Sequence, residues 1–86
     1  MTLGVAREFA DKGVRALSIS PGPIETPFQA ASGMGPEDME RSIADVPMGR
    51  PGKPEEIAEL ALFMCSDACG FMTADTVYVN GGGGWR

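Results

Sequence analysis

The side chains that could carry out chemistry are few in this 86-residue sequence. It contains no histidine, its one tyrosine is Tyr78, and its lysines are Lys12 and Lys53. A catalytic triad, a metal site or a general base that depends on histidine is therefore excluded within this chain. Proton transfer would have to use Tyr78, one of the two lysines, a hydroxyl, a carboxylate or a thiol.

The two cysteines, Cys65 and Cys69, do not form a recognisable redox or metal motif. Their separation by four positions fits neither a CxxC redox pair nor a zinc knuckle. We therefore expect both to be small buried apolar side chains in a reducing cytoplasm. The acids at the start of a predicted helix (Glu55, Glu56 and Glu59) are interpreted as a solvated helix terminus rather than metal ligands, so no metal site is predicted.

Net charge and hydropathy exclude two classes of partner. Seven Lys+Arg against twelve Asp+Glu give a net charge of -5, and nucleic acid is not expected as a partner because phosphate binding requires a basic surface. No apolar run approaches the roughly 20 residues that span a bilayer, and no secretory signal opens the sequence. We therefore predict a cytoplasmic protein that does not enter a membrane.

The elements that must position the reactive residues alternate between helix and strand. Periodicity and breakers predict a helix over 1–12 that stops at Gly13, a strand over 14–19, a short helix over 36–46, a helix that begins at Pro54, and a strand over 76–79. Two strands separated by so long a crossover are expected to be parallel and joined right-handedly. The predicted fold class is therefore α/β, in the order helix, strand, loop, helix, strand.

Several spaced segments resemble the C-terminal part of a short-chain dehydrogenase/reductase. They are residues 13–15 (GVR), 18–27 (SISPGPIETP), 48–58 (MGRPGKPEEIA), 62–67 (LFMCSD) and 77–82 (VYVNGG). The segments follow one another in the family's order and cover essentially the whole chain. The resemblance implies a partial Rossmann-like fold in which residues 1–86 form one unit, the C-terminal third of the domain, with a substrate loop at about 27–53.

The resemblance also implies where NAD or NADP would lie. In that family the turn after this first strand is beside the nicotinamide, so Pro21 and Gly22 would pack near the ring. The backbone of Ile24 would meet the carboxamide, and Thr26 would donate to the carboxamide or the pyrophosphate. The physics agrees, because ligands in open α/β sheets bind at the carboxyl ends of strands and glycine lets bare backbone approach a flat ring.

Each of these residues also has an interpretation without a ligand. Pro21 and Gly22 are compatible with a tight strand-to-loop turn alone. Thr26 is compatible with an extended residue before a proline. Arg50 is compatible with an ion pair to an acid of the loop, or with capping of a helix C-terminus.

The catalytic groups that the resemblance implies are missing from these 86 residues. In the family a tyrosine transfers the proton, a lysine four residues later lowers its pKa, and a serine holds the substrate carbonyl. Here Gly82 follows Tyr78 at that distance, and no GxxxGxG turn for the adenosine end occurs. No catalytic residue is carried over, and we predict that the chain alone is inactive and binds the dinucleotide weakly. Three smaller departures from the family pattern are Leu17 for asparagine, Ala74 for glycine and Asn80 for aspartate.

Two main hypotheses about function follow. The chain is either the C-terminal segment of an NAD(P)-dependent oxidoreductase, meeting a small-molecule substrate only in a full-length context, or a stand-alone, non-catalytic assembly or interaction protein derived from one. Because two parallel strands alone are marginal and the first strand has an open edge, we predict a homo-oligomer that completes the sheet. A third hypothesis, complementation of a separate N-terminal half, has no sequence feature in its favour.

Overall fold

The computed structural model describes residues 2–25 and 35–83. In chain order its elements are α1 (Thr2–Phe9), a 3₁₀ turn (Ala10–Lys12), β1 (Leu17–Pro21), α2 (Pro36–Ile43), α3 (Pro54–Met64), a second 3₁₀ turn (Asp67–Cys69) and β2 (Asp75–Val79). Both the order and the type of the predicted elements are confirmed. The boundaries differ most at β1, which begins and ends later than predicted, and at α2, which is shorter.

The two strands pair in parallel, as predicted, and form a two-stranded sheet in the part of the chain that the structure describes. The register runs from Leu17 opposite Asp75 to Pro21 opposite Val79. Pro21 is accommodated at the end of β1 because successive backbone nitrogens of a strand point to opposite sides, and the Gly22 N–H points towards β2. The missing N–H of Pro21 therefore lies on the side away from β2. The next residue, Gly22, continues the ladder by donating its N–H to the Val79 carbonyl at 2.9 Å.

The 3₁₀ turn that continues α1 ends where glycine was predicted to stop the first helix. Gly13 is left-handed (φ 76°) and its N–H donates to the Ala10 carbonyl, which closes the last turn as a C-terminal cap does. The helix packs on β1: Ala6 is fully buried, and the Ser18 hydroxyl donates to the Thr2 hydroxyl at 3.1 Å. The first strand is thereby fixed to the helix that precedes it.

Helix α3 begins at Pro54, as the Pro-Glu-Glu sequence predicts. The Glu56 carboxylate accepts a hydrogen bond from the Lys53 backbone N–H at 2.9 Å, so it satisfies one amide at the helix start. The apolar residues that recur at helical spacing, which are Ile57, Leu60, Ala61 and Met64, are half-buried or buried. Leu62 and Phe63, outside that group, are 76% and 52% exposed.

The end of α3 is tied to the segment before β1 by one side chain. The Arg15 guanidinium donates to the carbonyls of Met64 at 2.8 Å, Ser66 at 3.2 Å and Met72 at 3.4 Å. Carbonyls in the last turn of a helix have no partner within the helix. Arg15 supplies that partner from the opposite end of the sequence.

The turn that leads into β2 contains a left-handed residue that is not glycine. Ala74 has φ 59°, and its N–H donates to the Ala16 carbonyl at 2.9 Å. The Thr73 hydroxyl accepts from the Ala16 N–H at 3.0 Å. These two bonds align β2 with the start of β1 and hold alanine in a conformation that favours glycine.

The buried apolar side chains of the described residues are Ala6, Val46, Met64 and Cys69. Cys69 is buried as predicted, but the prediction was wrong for Cys65, which is exposed. The reason is helical geometry. Met64 faces inwards, and a residue one position further is rotated by about 100° around the helix axis.

Candidate functional site

The candidate site lies at the carboxyl ends of β1 and β2, where the chain leaves β1 through Gly22. A Cβ atom built on Gly22 would lie 2.9 Å from both the Cα and the Cβ of Asn80. Such a contact is too short for any side chain, so glycine is required where this turn passes the end of β2. This close approach accounts for Gly22 without a ligand, and its predicted role beside nicotinamide stays a prediction.

Two residues further on, Ile24 pairs with Gly52 in an isolated parallel bridge. The Gly52 N–H donates to the Pro23 carbonyl and the Glu25 N–H donates to the Gly52 carbonyl, both at 2.9 Å. Backbone groups of successive residues in extended chain point to opposite sides. The N–H and C=O of Ile24 itself therefore point away from Gly52, as one donor and one acceptor on the same side.

An ion pair stands beside this bridge, at the start of α3. Arg50 meets both carboxylate oxygens of Glu56, at 2.8 and 3.1 Å, and also donates to the Pro51 carbonyl at 3.0 Å. The hydrogen bond from Arg50 and then that from the Lys53 N–H lower the pKa of Glu56 to about 2, while the hydrogen bond to Glu56 raises the pKa of Arg50. Both side chains are less than half exposed, although each remains open to solvent.

The C-terminal part of the loop at about 27–53 is also attached to the end of β2. The Met48 N–H donates to the Gly81 carbonyl at 3.1 Å. Gly81 is left-handed (φ 65°), and a Cβ there would lie 2.6 Å from Val46. The C-terminal part of this loop is therefore held at two places, by the turn after β1 and by the turn after β2.

Two cavities adjoin these turns. A small apolar one of about 100 Å³ lies below the bridge and includes Ile24, Ile57 and Val79 in its lining. A wider one of about 250 Å³ is lined in part by Pro21 and Gly22. The structure thus brings Pro21, Gly22 and Ile24 to the same end of the sheet. The fourth predicted cofactor residue, Thr26, lies outside the described residues.

Of the remaining reactive residues, Tyr78 contributes to the lining of the wider cavity together with Pro21 and Gly22. Tyr78 is on β2, the closing strand, as the sequence predicted, and the Lys12 ammonium lies 5.3 Å from the centre of the Phe9 ring. Within residues 2–25 and 35–83, no group of three or more His, Cys, Asp or Glu is placed to hold a metal ion. Across the same two ranges, every helix is too short or too polar to cross a bilayer.

The sequence did not predict the bridge between Ile24 and Gly52, and it did not identify Glu56 as the partner of Arg50. For Arg50 the sequence was compatible with an ion pair to an acid of the loop or with capping of a helix C-terminus, and Arg50 pairs instead with Glu56, the third residue of α3. The signal was present in the spacing, since a carboxylate at the third helical position commonly faces back over the helix start. Nothing in the spacing pointed to the contact between Ile24 and Gly52.

Comparison with known proteins identifies relatives along nearly the whole chain. A family model described as enoyl-(acyl carrier protein) reductase matches residues 1–83. YhdF of Bacillus subtilis, an uncharacterized oxidoreductase, is 42% identical over 81 residues, which are 94% of this chain and 28% of that protein. The 3beta-hydroxysteroid dehydrogenase 1 of Eggerthella lenta is 37% identical over 82 residues, 95% of this chain and 31% of that protein.

Solved structures give the same result for the fold. A short chain dehydrogenase from Bacillus anthracis superposes with a TM-score of 0.79 at 42% identity, over 95% of this chain and 31% of that one. A short chain dehydrogenase family protein from Francisella tularensis superposes with a TM-score of 0.82 at 28% identity, over 95% and 38%. The chain therefore spans roughly a third of the length of the relatives it matches.

Proposed function

Since this chain belongs to the short-chain dehydrogenase/reductase family, we propose that it forms the nicotinamide side of the cofactor site in an NAD(P)-dependent oxidoreductase. The relatives YhdF and 3beta-hydroxysteroid dehydrogenase 1 are an oxidoreductase and a dehydrogenase by name. The chemistry proposed for the complete enzyme is hydride transfer to or from a small-molecule substrate. We place that enzyme in the cytoplasm.

The observation that carries this proposal is the bridge between Ile24 and Gly52. It fixes the turn after β1 beside the strand ends, where open α/β sheets bind ligands, and so holds Pro21, Gly22 and Ile24 at that end of the sheet. The cofactor, when bound, supplies the hydride or accepts it.

The residues proposed to hold the nicotinamide end follow from this placement. Pro21 and Gly22 present little side chain at the end of β1, so a flat ring can approach the backbone there. Ile24 would bind the carboxamide through its main chain. Thr26, two residues later, is proposed as a further hydrogen-bond donor on sequence grounds alone.

The chain alone is proposed to be inactive. Its one tyrosine lies on β2, without a lysine four residues later, so a proton donor of the family's type is not among these 86 residues. Titrating the 86-residue chain with NADH and NADPH is expected to give no saturable binding at micromolar cofactor and no turnover. Saturable micromolar binding would overturn this part of the proposal.

The complete enzyme needs a separate experiment. The full-length polypeptide that the gene encodes is expected to oxidise NADH or NADPH in the presence of small carbonyl compounds, or to reduce NAD or NADP with the corresponding alcohols. Absence of dinucleotide binding and turnover in the full-length polypeptide would contradict the proposed function.

A second candidate, a non-catalytic assembly protein, is favoured by a different observation. Leu62 and Phe71 are 76% and 105% exposed, and an open groove of about 630 Å³ runs beside β1 between α1 and α3. Apolar surface and an unpaired strand edge both favour association. We propose a homo-oligomer. A chain that is monomeric by light scattering and that melts cooperatively would contradict it.

A further inference from the structure

Three glycines after β2 lie in close contact with the segment that follows α2. The sequence has four consecutive glycines at 81–84, and the structure describes the first three. We define residues 81–83 as the glycine seat and residues 45–48 as the strap. A Cβ atom built on the seat would lie 2.6 Å from Val46 at Gly81, 3.2 Å from Pro47 at Gly82 and 3.3 Å from the Asp45 carbonyl oxygen at Gly83. Three successive residues without side chains therefore let the strap lie directly on the backbone of the seat.

A buried side chain and a main-chain bond hold the strap in this position. Val46 is 8% exposed, and the other buried apolar side chains of the described residues lie outside the loop between β1 and α3. The Met48 N–H donates to the Gly81 carbonyl at 3.1 Å, and the Gly49 N–H donates to the Val46 carbonyl at 2.8 Å. Because closely packed groups adjust little and transmit strain, a change at Gly81 must displace Val46.

The position of the strap bears on the wider cavity at the strand ends. Helix α2 ends at Ile43, two residues before Asp45. The lining of the cavity includes Pro21 and Gly22 at the end of β1, Ser42 from α2 and Asp45 from the strap. The volume of about 250 Å³ is below the roughly 300–1,000 Å³ of sites for drug-sized ligands, so the cavity fits a small molecule. Its width depends on how far α2 and the strap lie from the strand ends.

We propose that the glycine seat sets the size of the substrate that the complete enzyme accepts, because it fixes the strap and hence the distance of α2 from the strand ends. The substrate class is a small carbonyl compound or the corresponding alcohol. This inference rests on the proposed function, since it places the substrate in the cavity beside Pro21 and Gly22. Its physical part, that the contact between Gly81 and Val46 positions the strap, holds without cofactor or substrate.

The chain contains a well-matched control for substitution in the seat. Gly81 is left-handed (φ 65°), so Gly81→Ala strains the backbone in addition to meeting Val46. Gly13, at the end of the first helical segment, has a similar φ of 76°, and a Cβ built there meets nothing within 4 Å. Gly13→Ala therefore causes the same kind of backbone strain without the contact to the strap.

The first measurement is a double-mutant cycle by urea unfolding of the 86-residue chain at one fixed protein concentration. Val46→Ala removes the Cγ1 atom that the new Cβ of Gly81→Ala would meet. The double variant is therefore expected to be more stable than the two single changes predict, by about tenfold in the unfolding equilibrium constant. Gly13→Ala combined with Val46→Ala should be additive to within about twofold.

A milder variant covers the case in which Gly81→Ala leaves too little folded protein. Gly83→Ala brings a Cβ to 3.3 Å from the Asp45 carbonyl oxygen, a contact that a small displacement of the strap relieves. Amide exchange at Met48, whose N–H binds the Gly81 carbonyl, is expected to become about fivefold faster, the lower end of the cost of overpacking. An unchanged rate would contradict the attachment of the strap to the seat.

The second measurement uses the full-length polypeptide and compares kcat/KM for acetone with that for the bulkier acetophenone. Displacing the strap widens the cavity, so Gly81→Ala is expected to raise the ratio for acetophenone over acetone by about tenfold, the effect of one methylene in a pocket. The dinucleotide KM and the ratio in Gly13→Ala should stay unchanged. A merely structural role would lower kcat/KM for both ketones by the same factor.

Each outcome decides one part of the inference. An additive cycle for Gly81→Ala and Val46→Ala would overturn the seat and leave the proposed function untouched. A coupled cycle with an unchanged ketone ratio in an active enzyme would overturn the role in substrate size alone. A full-length polypeptide without dinucleotide binding or turnover would remove the proposed function and the substrate part of this inference, whereas the cycle would still decide whether the seat positions the strap.

Discussion

Arg15 offers the sharpest test of how this fold is held together, because one side chain binds three separate carbonyls. It connects the segment before β1 with the end of α3 and with the turn that precedes β2. Arg15→Met keeps an unbranched apolar stem of similar length and removes every donor. We expect this substitution to loosen the end of α3 and the approach to β2 together.

The magnitude can be worked out from the geometry. The bonds to Met64 and Ser66 are 2.8 and 3.2 Å long, whereas the 3.4 Å contact to Met72 is near the outer limit and contributes little. A hydrogen bond from a charged donor is worth about 1.5–3 kcal/mol, and partial exposure reduces that value. Two such bonds, with the favourable charge at a helix C-terminus, predict a loss of about 2–4 kcal/mol in the free energy of unfolding.

The assay is urea unfolding followed by circular dichroism at one fixed protein concentration, so that association does not change the comparison. Arg15→Lys should give an intermediate loss, because an ammonium keeps the charge but cannot reach several carbonyls in the same way. Arg7→Met, at an exposed position of α1, is the control and should change stability by less than about 0.5 kcal/mol. A loss in Arg15→Met no larger than that of the control would refute the reasoning.

Three further predictions concern single positions. Ala74→Gly should raise the midpoint of thermal unfolding slightly, because relief of a left-handed alanine, about 1–2 kcal/mol, exceeds the greater chain entropy of glycine, about 0.4–1 kcal/mol; a lower midpoint would contradict it. Gly22→Ala should cost about 1–3 kcal/mol in urea unfolding, since its Cβ would meet the Asn80 main chain at 2.9 Å, and a neutral result would show that the strand ends separate freely. Because the folded-state pKa of Glu56 is lowered to about 2, its contribution to stability is complete above pH 4.5 and is lost as the pH falls towards 2. Amide exchange at Gly52, corrected for its intrinsic pH dependence, should rise over that interval and stay flat in Glu56→Gln.

Local features of the chain could be predicted well from the sequence. Pro54 and the two glutamates after it mark a helix start through properties of single residues, and Gly13 marks a helix stop in the same way. The parallel pairing was also predictable, because a long crossover between two short apolar segments permits little else. The bounds of β1 were less accurate, since a proline at the last position of a strand reads as a strand breaker in sequence.

The candidate site could be predicted only in part. Pro21, Gly22 and Ile24 were assigned through a family resemblance, and the structure brings all three to one end of the sheet, while their contact with a cofactor remains a proposal. The ties of Ile24 to Gly52 and of Arg15 to the end of α3 join residues far apart in the chain. No periodicity or local propensity encodes such pairs, because they depend on how whole elements pack.

The parallel register of β1 with β2 has a consequence for biosynthesis. The first strand leaves the ribosome well before its partner, and it stays unpaired while the loop that contains α2 and then α3 are translated. Until then its backbone amides and carbonyls can pair with any other extended segment nearby. Closing so distant a pair is slow for entropic reasons, so nascent chains of this protein should depend on chaperones more than chains whose neighbouring strands form hairpins.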